Sequence, residues 1–75
     1  MINIYYALQY PDGRFVGIDH QSGGYPYPCE HINSAWLLEA TEKNLVEMKG
    51  FVKSFPRDNF SVVILKISLM NIKVA

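Results

Sequence analysis

Apolar and polar residues alternate from the start of the chain. Ile2, Ile4, Tyr6 and Leu8 interleave with Asn3, Tyr5, Ala7 and Gln9, the two-residue period of a half-buried strand. Tyr-Pro-Asp-Gly-Arg follows at residues 10–14. Proline suits the first central position of a type I turn, and glycine supplies the left-handed residue after it. Phe15, Val16 and Ile18 then form a returning strand, with Gly17 read as a bulge. The pattern predicts a hairpin.

Further along, residues 33–40 fit either the start of one long helix running to Phe55 or a short strand. The preferred reading is a strand over residues 35–39, followed by a helix capped by Thr41. A Thr side chain accepts from an early helical N–H, and Glu42 places an acid where the helix dipole favours it. Leu45, Met48, Val52 and Phe55 recur at three- and four-residue steps, while Lys43, Glu47, Lys49 and Lys53 take wetter positions. Gly50 weakens this helix by about 1 kcal/mol relative to Ala, and Pro56 ends it. In residues 60–70, Val63, Leu65, Ile67 and Leu69 share one face, and Phe60, Val62 and Ile64 share the other. A strand apolar on both faces is either central in its sheet or buried by another subunit. Residues 71–75 either fray or extend an edge. The predicted order is β-β-loop-β-α-β. That is an α+β fold in which a small antiparallel or mixed sheet carries one helix across a face, as one domain over residues 1–75.

Between hairpin and third strand lies Ser22-Gly23-Gly24-Tyr25-Pro26-Tyr27-Pro28-Cys29, flanked by His20 and His31. Proline lacks a backbone donor and glycine weakens regular elements, so the segment is read as a stiff loop rather than a helix or central strand. Each Tyr precedes a Pro and is pushed toward extended backbone, so its ring is presented at low entropic cost.

Composition narrows the function. The hydrophobic fraction of 49% supports a real core and argues against disorder. A chain of 75 residues nevertheless buries only about 60% of its unfolded surface, so a second subunit is the expected stabiliser and a homodimer the expected state. The single cysteine excludes an intrachain disulfide and fits a reducing, cytoplasmic setting. Seven basic and seven acidic residues cancel and form no run. Nucleic-acid binding draws most of its affinity from a basic surplus, which is missing, and an acidic mimic would need the opposite surplus. The N-terminus has no basic region before an apolar run, and the apolar stretch over residues 60–70 is too short to span a bilayer and contains Lys66. Neither a signal peptide nor a membrane anchor is expected.

The stretch Tyr-x-Leu-x-x-Pro-Asp-Gly-Arg-Phe-x-Gly-Ile-Asp over residues 6–19 leads into Ser22-Gly23-Gly24-Tyr25-Pro26. After Ala35 and a hydrophobic strand comes a Thr-led helix ending near Ser54-Phe55-Pro56. The chain resembles, over most of its length, short uncharacterised proteins encoded by bacteriophages and prophages. The resemblance implies a setting, that of accessory proteins acting on host or defence factors in the host cytoplasm. It carries over no catalytic residues.

Asp19, His20, Cys29, Glu30 and His31 bracket the Gly/Pro segment and invite two chemical readings. Zinc wants about four N or S ligands, usually in paired spacings such as Cys-x-x-Cys, and Cys29-x-His31 is not such a pair. A Cys29–His nucleophile would also need an oxyanion hole and a substrate cleft, for which the chain leaves little room. No metal, cofactor or catalysis is therefore expected. Gly23 and Gly24 lead into Tyr-Pro rather than a helix N-terminus, unlike a phosphate loop. Tyr25, Pro26, Tyr27 and Trp36 make the strongest binding surface, with Asp19, His20 and His31 at its rim, since Tyr and Trp are enriched at binding hot spots. The opposing reading folds the tyrosines back onto their own sheet and puts Trp36 in the core. The function expected is a non-enzymatic interaction module for a host protein. The alternative is a binder of a small ligand or nucleotide, with Tyr25 or Tyr27 stacking a base over the glycines.

Overall fold

A computed structural model of the chain describes residues 2–68. Five strands and one α-helix follow one another as β1 (Ile2–Gln9), β2 (Phe15–Asp19), β3 (Tyr25–Cys29), β4 (Leu38–Glu39), α1 (Glu42–Ser54) and β5 (Ser61–Ser68). All pairings are antiparallel in a 5-stranded sheet, and the helix packs across one face. The α+β expectation holds.

The first hairpin forms as its turn chemistry dictates. Gly13 N donates to the Tyr10 carbonyl at 2.9 Å, Tyr10 N donates to the Arg14 carbonyl at 2.8 Å, and Gly13 takes φ +94°, open to glycine without steric cost. Asp12 locks the turn: it accepts from Arg14 N at 2.9 Å and pairs with the Arg14 guanidinium at 2.8 Å.

β1 is the spine of the sheet. Its whole length pairs with β5, from Ile2↔Ser68 to Gln9↔Ser61. A strand has two edges, so β2 and β4 share the other one. β2 meets β1 at Gln9↔Phe15 and then diverges, and β4 takes over at Tyr6↔Leu38 and Tyr5↔Glu39. The segment before β4 fills the fork, where Trp36 N donates to the Val16 carbonyl at 2.9 Å. The ambiguous segment is thus a short strand at Leu38–Glu39, preceded by a 3-10 turn at Ile32–Ser34, and not the start of a long helix.

The α-helix begins where its cap predicts. Thr41 Oγ1 accepts from Asn44 N at 3.2 Å. Met48 is fully buried against Leu8 and Val16, with Phe60 completing the core. Leu45, Val52 and Phe55 are half-buried, whereas Lys43, Glu47, Lys49 and Lys53 are exposed. Pro56 opens a 3-10 turn at Pro56–Asp58 and so ends the helix.

Two expectations are corrected and a third is narrowed. Residues 25–29 are not a loop but an edge strand, in register Phe15↔Cys29, Gly17↔Tyr27 and Asp19↔Tyr25. The Val16 carbonyl turns away from β3, so the odd-numbered residues of β2 face it, and Tyr25, Tyr27 and Cys29 carry the ladder. Pro26 and Pro28 fall at the alternate positions, whose backbone faces outward where no donor is needed. Gly17 is no bulge, because the register runs through it without a break. The apolar strand at the end of the chain lies at an edge of the sheet, pairing with β1 alone among the described residues, so of its two alternatives the central position is ruled out and burial by another subunit is left. Of its expected residues, Leu69 and Met70 lie outside those described, as do residues 71–75.

Candidate functional site

The site grows from β3 and the C-terminal half of α1. Tyr25 opens the strand with 63% of its surface exposed. Its ring meets Phe55 edge-on, centroids 6.5 Å apart and planes at 73°. Phe55 lies 4.8 Å from Phe51, and Phe51 lies 5.0 Å from Trp36. Phe60 adjoins both phenylalanines at 6.1 and 6.5 Å and takes the Tyr10 ring edge-on at 4.9 Å. Tyr25 is therefore the exposed end of a continuous aromatic ridge running down to Trp36. Pairs at these separations add about 0.5–1.5 kcal/mol each beyond area burial, and the Phe55 pair biases the Tyr25 ring toward this outlook.

Tyr27 has a different support. It sits opposite Gly17, on the face of the sheet away from the Leu8–Val16–Met48 core, and its ring covers that glycine. A Cβ at position 17 would lie 2.6 Å from Tyr27 Cζ and 2.9 Å from the hydroxyl oxygen. Gly17 is buried as a result, and Tyr27 keeps 40% exposure. The two rings therefore differ in placement. Tyr25 is the outward one, and Tyr27 lies partly back on its own sheet. The Tyr-Pro bonds are trans.

The rim residues separate in role. Asp19 is a local cap, whose Oδ1 accepts from Gln21 N at 3.1 Å and Ser22 N at 3.2 Å over the 3-10 turn His20–Ser22. Gly23 and Gly24 adopt φ +88° and +82° to swing the chain into β3, and Gly24 N donates to the Asp19 carbonyl at 2.8 Å. That N–H is committed to closing the loop, which weakens the phosphate-cradle reading. His20 lies with Ile18, Ala35, Trp36 and Leu37 around a shallow, open depression of about 400 Å³. His31 is exposed beyond the C-terminal end of β3, at the start of the Ile32–Ser34 turn, and does not line that depression. Trp36 is half-buried, packing on Phe51 at 5.0 Å between ring centroids and lining the depression.

Cys29 is half-buried and its Sγ donates to the Phe15 carbonyl at 3.5 Å. Burial pushes its thiol up, away from the thiolate a nucleophile requires. Among the described residues no group of three His, Cys, Asp or Glu side chains is placed to hold a metal ion. No helix among them is long and apolar enough to cross a membrane.

Phe51 was missed as a site residue. Its signal was present in sequence, because Phe51 and Phe55 stand four apart on one helix face. No family model, curated protein or solved structure matches the chain.

Proposed function

We propose that the protein is a non-enzymatic interaction module of the phage accessory type, which binds a host or defence protein through a contact face centred on Tyr25. The observation that carries this reading is the ridge from Tyr25 through Phe55 and Phe51 to Trp36. It gives an exposed tyrosine the rigid support of a hot-spot anchor, with little rotamer entropy left to lose on docking. Pro26 and the half-exposed Tyr27 extend the face, and His20 sits at its edge beside the depression.

The discriminating variant is Tyr25→Ala, which removes the outward ring while leaving Tyr27 over Gly17. Affinity capture from the native host loses the partner with Tyr25→Ala, while the circular dichroism spectrum is unchanged. Retained capture by a folded Tyr25→Ala protein contradicts the reading. The nucleotide-binding alternative rests on the depression floored by Trp36. A thermal-shift series with nucleotides and cyclic dinucleotides separates the two, since a ligand specific to the folded state raises the midpoint by mass action.

A further inference from the structure

β5 is the opposite edge of the sheet from β3, and its backbone is open. The ladder fixes which of its groups are free. The Ile4 carbonyl accepts from Ala40 N at 3.0 Å and Tyr10 N donates to Arg14, so even-numbered residues of β1 face β4 and β2. Odd-numbered residues of β1 face β5 and, in register Asn3↔Ile67, Tyr5↔Leu65 and Ala7↔Val63, engage its odd-numbered residues. Val62, Ile64 and Lys66 consequently direct N–H and C=O outward, and no second strand pairs with them among the described residues. Ile64 is 63% exposed, and Ile4, diagonal to it across the β1–β5 ladder, is 44% exposed. Lys66 is the one charge in Ser61–Ser68. An open apolar edge of this length is a template for another strand.

We propose that β5 pairs antiparallel with β5 of a second copy of this chain, around a two-fold axis through Ile64. The edge complements itself in that register. Ile64 faces Ile64, and each Val62 faces Lys66 of the other copy, so the two lysines are kept apart. The outward groups of three residues per strand exchange about six N–H···O bonds. A two-fold contact of this kind closes on itself. Of the edges that remain, β3 presents no outward donor at Pro26 and Pro28 and β4 is only two residues long, so growth stops at two copies.

Sedimentation equilibrium over a dilution series tests this. The wild-type chain sediments at twice its monomer mass. Ile64→Pro removes an outward N–H that β1 does not use, and Ile64→Lys places two lysines face to face. Both sediment as monomers with native circular dichroism, and Ile64→Lys decides the matter should the proline variant unfold. Val46→Lys, at a 72% exposed valine of α1, remains a dimer. The register has its own readout in a Cys29→Ser background. Paired Cα atoms about 5.5 Å apart suit a disulfide, so oxidation links Ile64→Cys chains covalently but not Ser61→Cys chains. A wild-type monomer at every concentration overturns the proposal. So does a dimer that survives Ile64→Lys, or cross-linking at position 61 instead of 64.

Discussion

The two edges of the sheet differ in the way they treat a neighbouring chain. β3 carries proline at both outward-facing positions it offers, 26 and 28, and its aromatic side chains are braced by Phe55 and by Gly17. β5 carries Val, Ile and Lys at its outward positions, with every N–H intact and a large isoleucine exposed. One edge works through side chains and refuses backbone pairing, and the other offers backbone. In a molecule with so small a core, the two proposals above divide the edges between separate tasks, a partner contact at Tyr25 and pairing with a second copy at β5.

The largest expected effect comes from the residue that joins the two regions. Phe60 precedes β5 yet supports Phe51, Phe55 and Tyr10. Phe60→Ala costs about 3–5 kcal/mol in urea unfolding. In the surviving folded fraction it frees the Tyr25 ring before it loosens β5, because Tyr25 rests on Phe55 whereas β5 is held to β1 by its ladder. Equal loosening at both edges, seen in side-chain and amide spectra, would erase the distinction.

Next comes Gly17→Val, which puts a side chain where the Tyr27 ring lies. Overpacking of this kind costs about 1–3 kcal/mol, and the assigned Tyr27 ring resonances report a ring driven into solvent. An undisturbed Tyr27 would show that β3 is not braced as described. Replacing Pro26 and Pro28 together by Thr restores outward donors to β3 and alters stability by only about 0.5 kcal/mol, as for surface changes. Its effect is on assembly: species larger than the wild-type assembly form, as light scattering reads directly. If none form, the prolines are not what closes that edge.

The smallest effect belongs to the hairpin turn. The backbone hydrogen bond from Arg14, with the guanidinium beside it, holds the Asp12 carboxyl below its usual range. A folded pKa below the unfolded one contributes stability at neutral pH and loses it as pH falls through the carboxylate range. Asp12→Asn is therefore slightly less stable than wild type at neutral pH, and the two converge in acid. Asp12 is exposed, so the difference is small and shrinks further in salt. Neither edge of the sheet changes.

The parts of this fold legible in the sequence are those decided by near neighbours. Pro11 and Gly13 specify the first turn, Thr41 caps α1, and the two-residue period of β1 reads directly. β3 was not legible as a strand, because proline is forbidden or welcome according to whether a neighbour lies on its outward side, and only the assembled sheet decides that. Gly17 looked like a bulge because the reason for a glycine there is Tyr27, ten residues away on the next strand. β5 reads the same whether central or at an edge, since apolar residues on both faces describe either. Of the site, Tyr25, Tyr27 and Trp36 were picked out by residue type, but their different placements depend on Phe55 reaching Tyr25, Gly17 lying under Tyr27 and Phe51 packing on Trp36 across the fold.

Amide hydrogen exchange along β5 tests the contrast between the edges most directly. Val62, Ile64 and Lys66 have N–H groups that β1 does not bind, so a free edge and an occupied edge differ at these three positions. The account predicts that they are protected to the same degree as Val63 and Leu65 in the wild-type protein, and that Ile64→Lys strips protection from Val62 and Lys66 while leaving Val63 and Leu65 slow. Fast exchange at all three positions in the concentrated wild-type protein would contradict it.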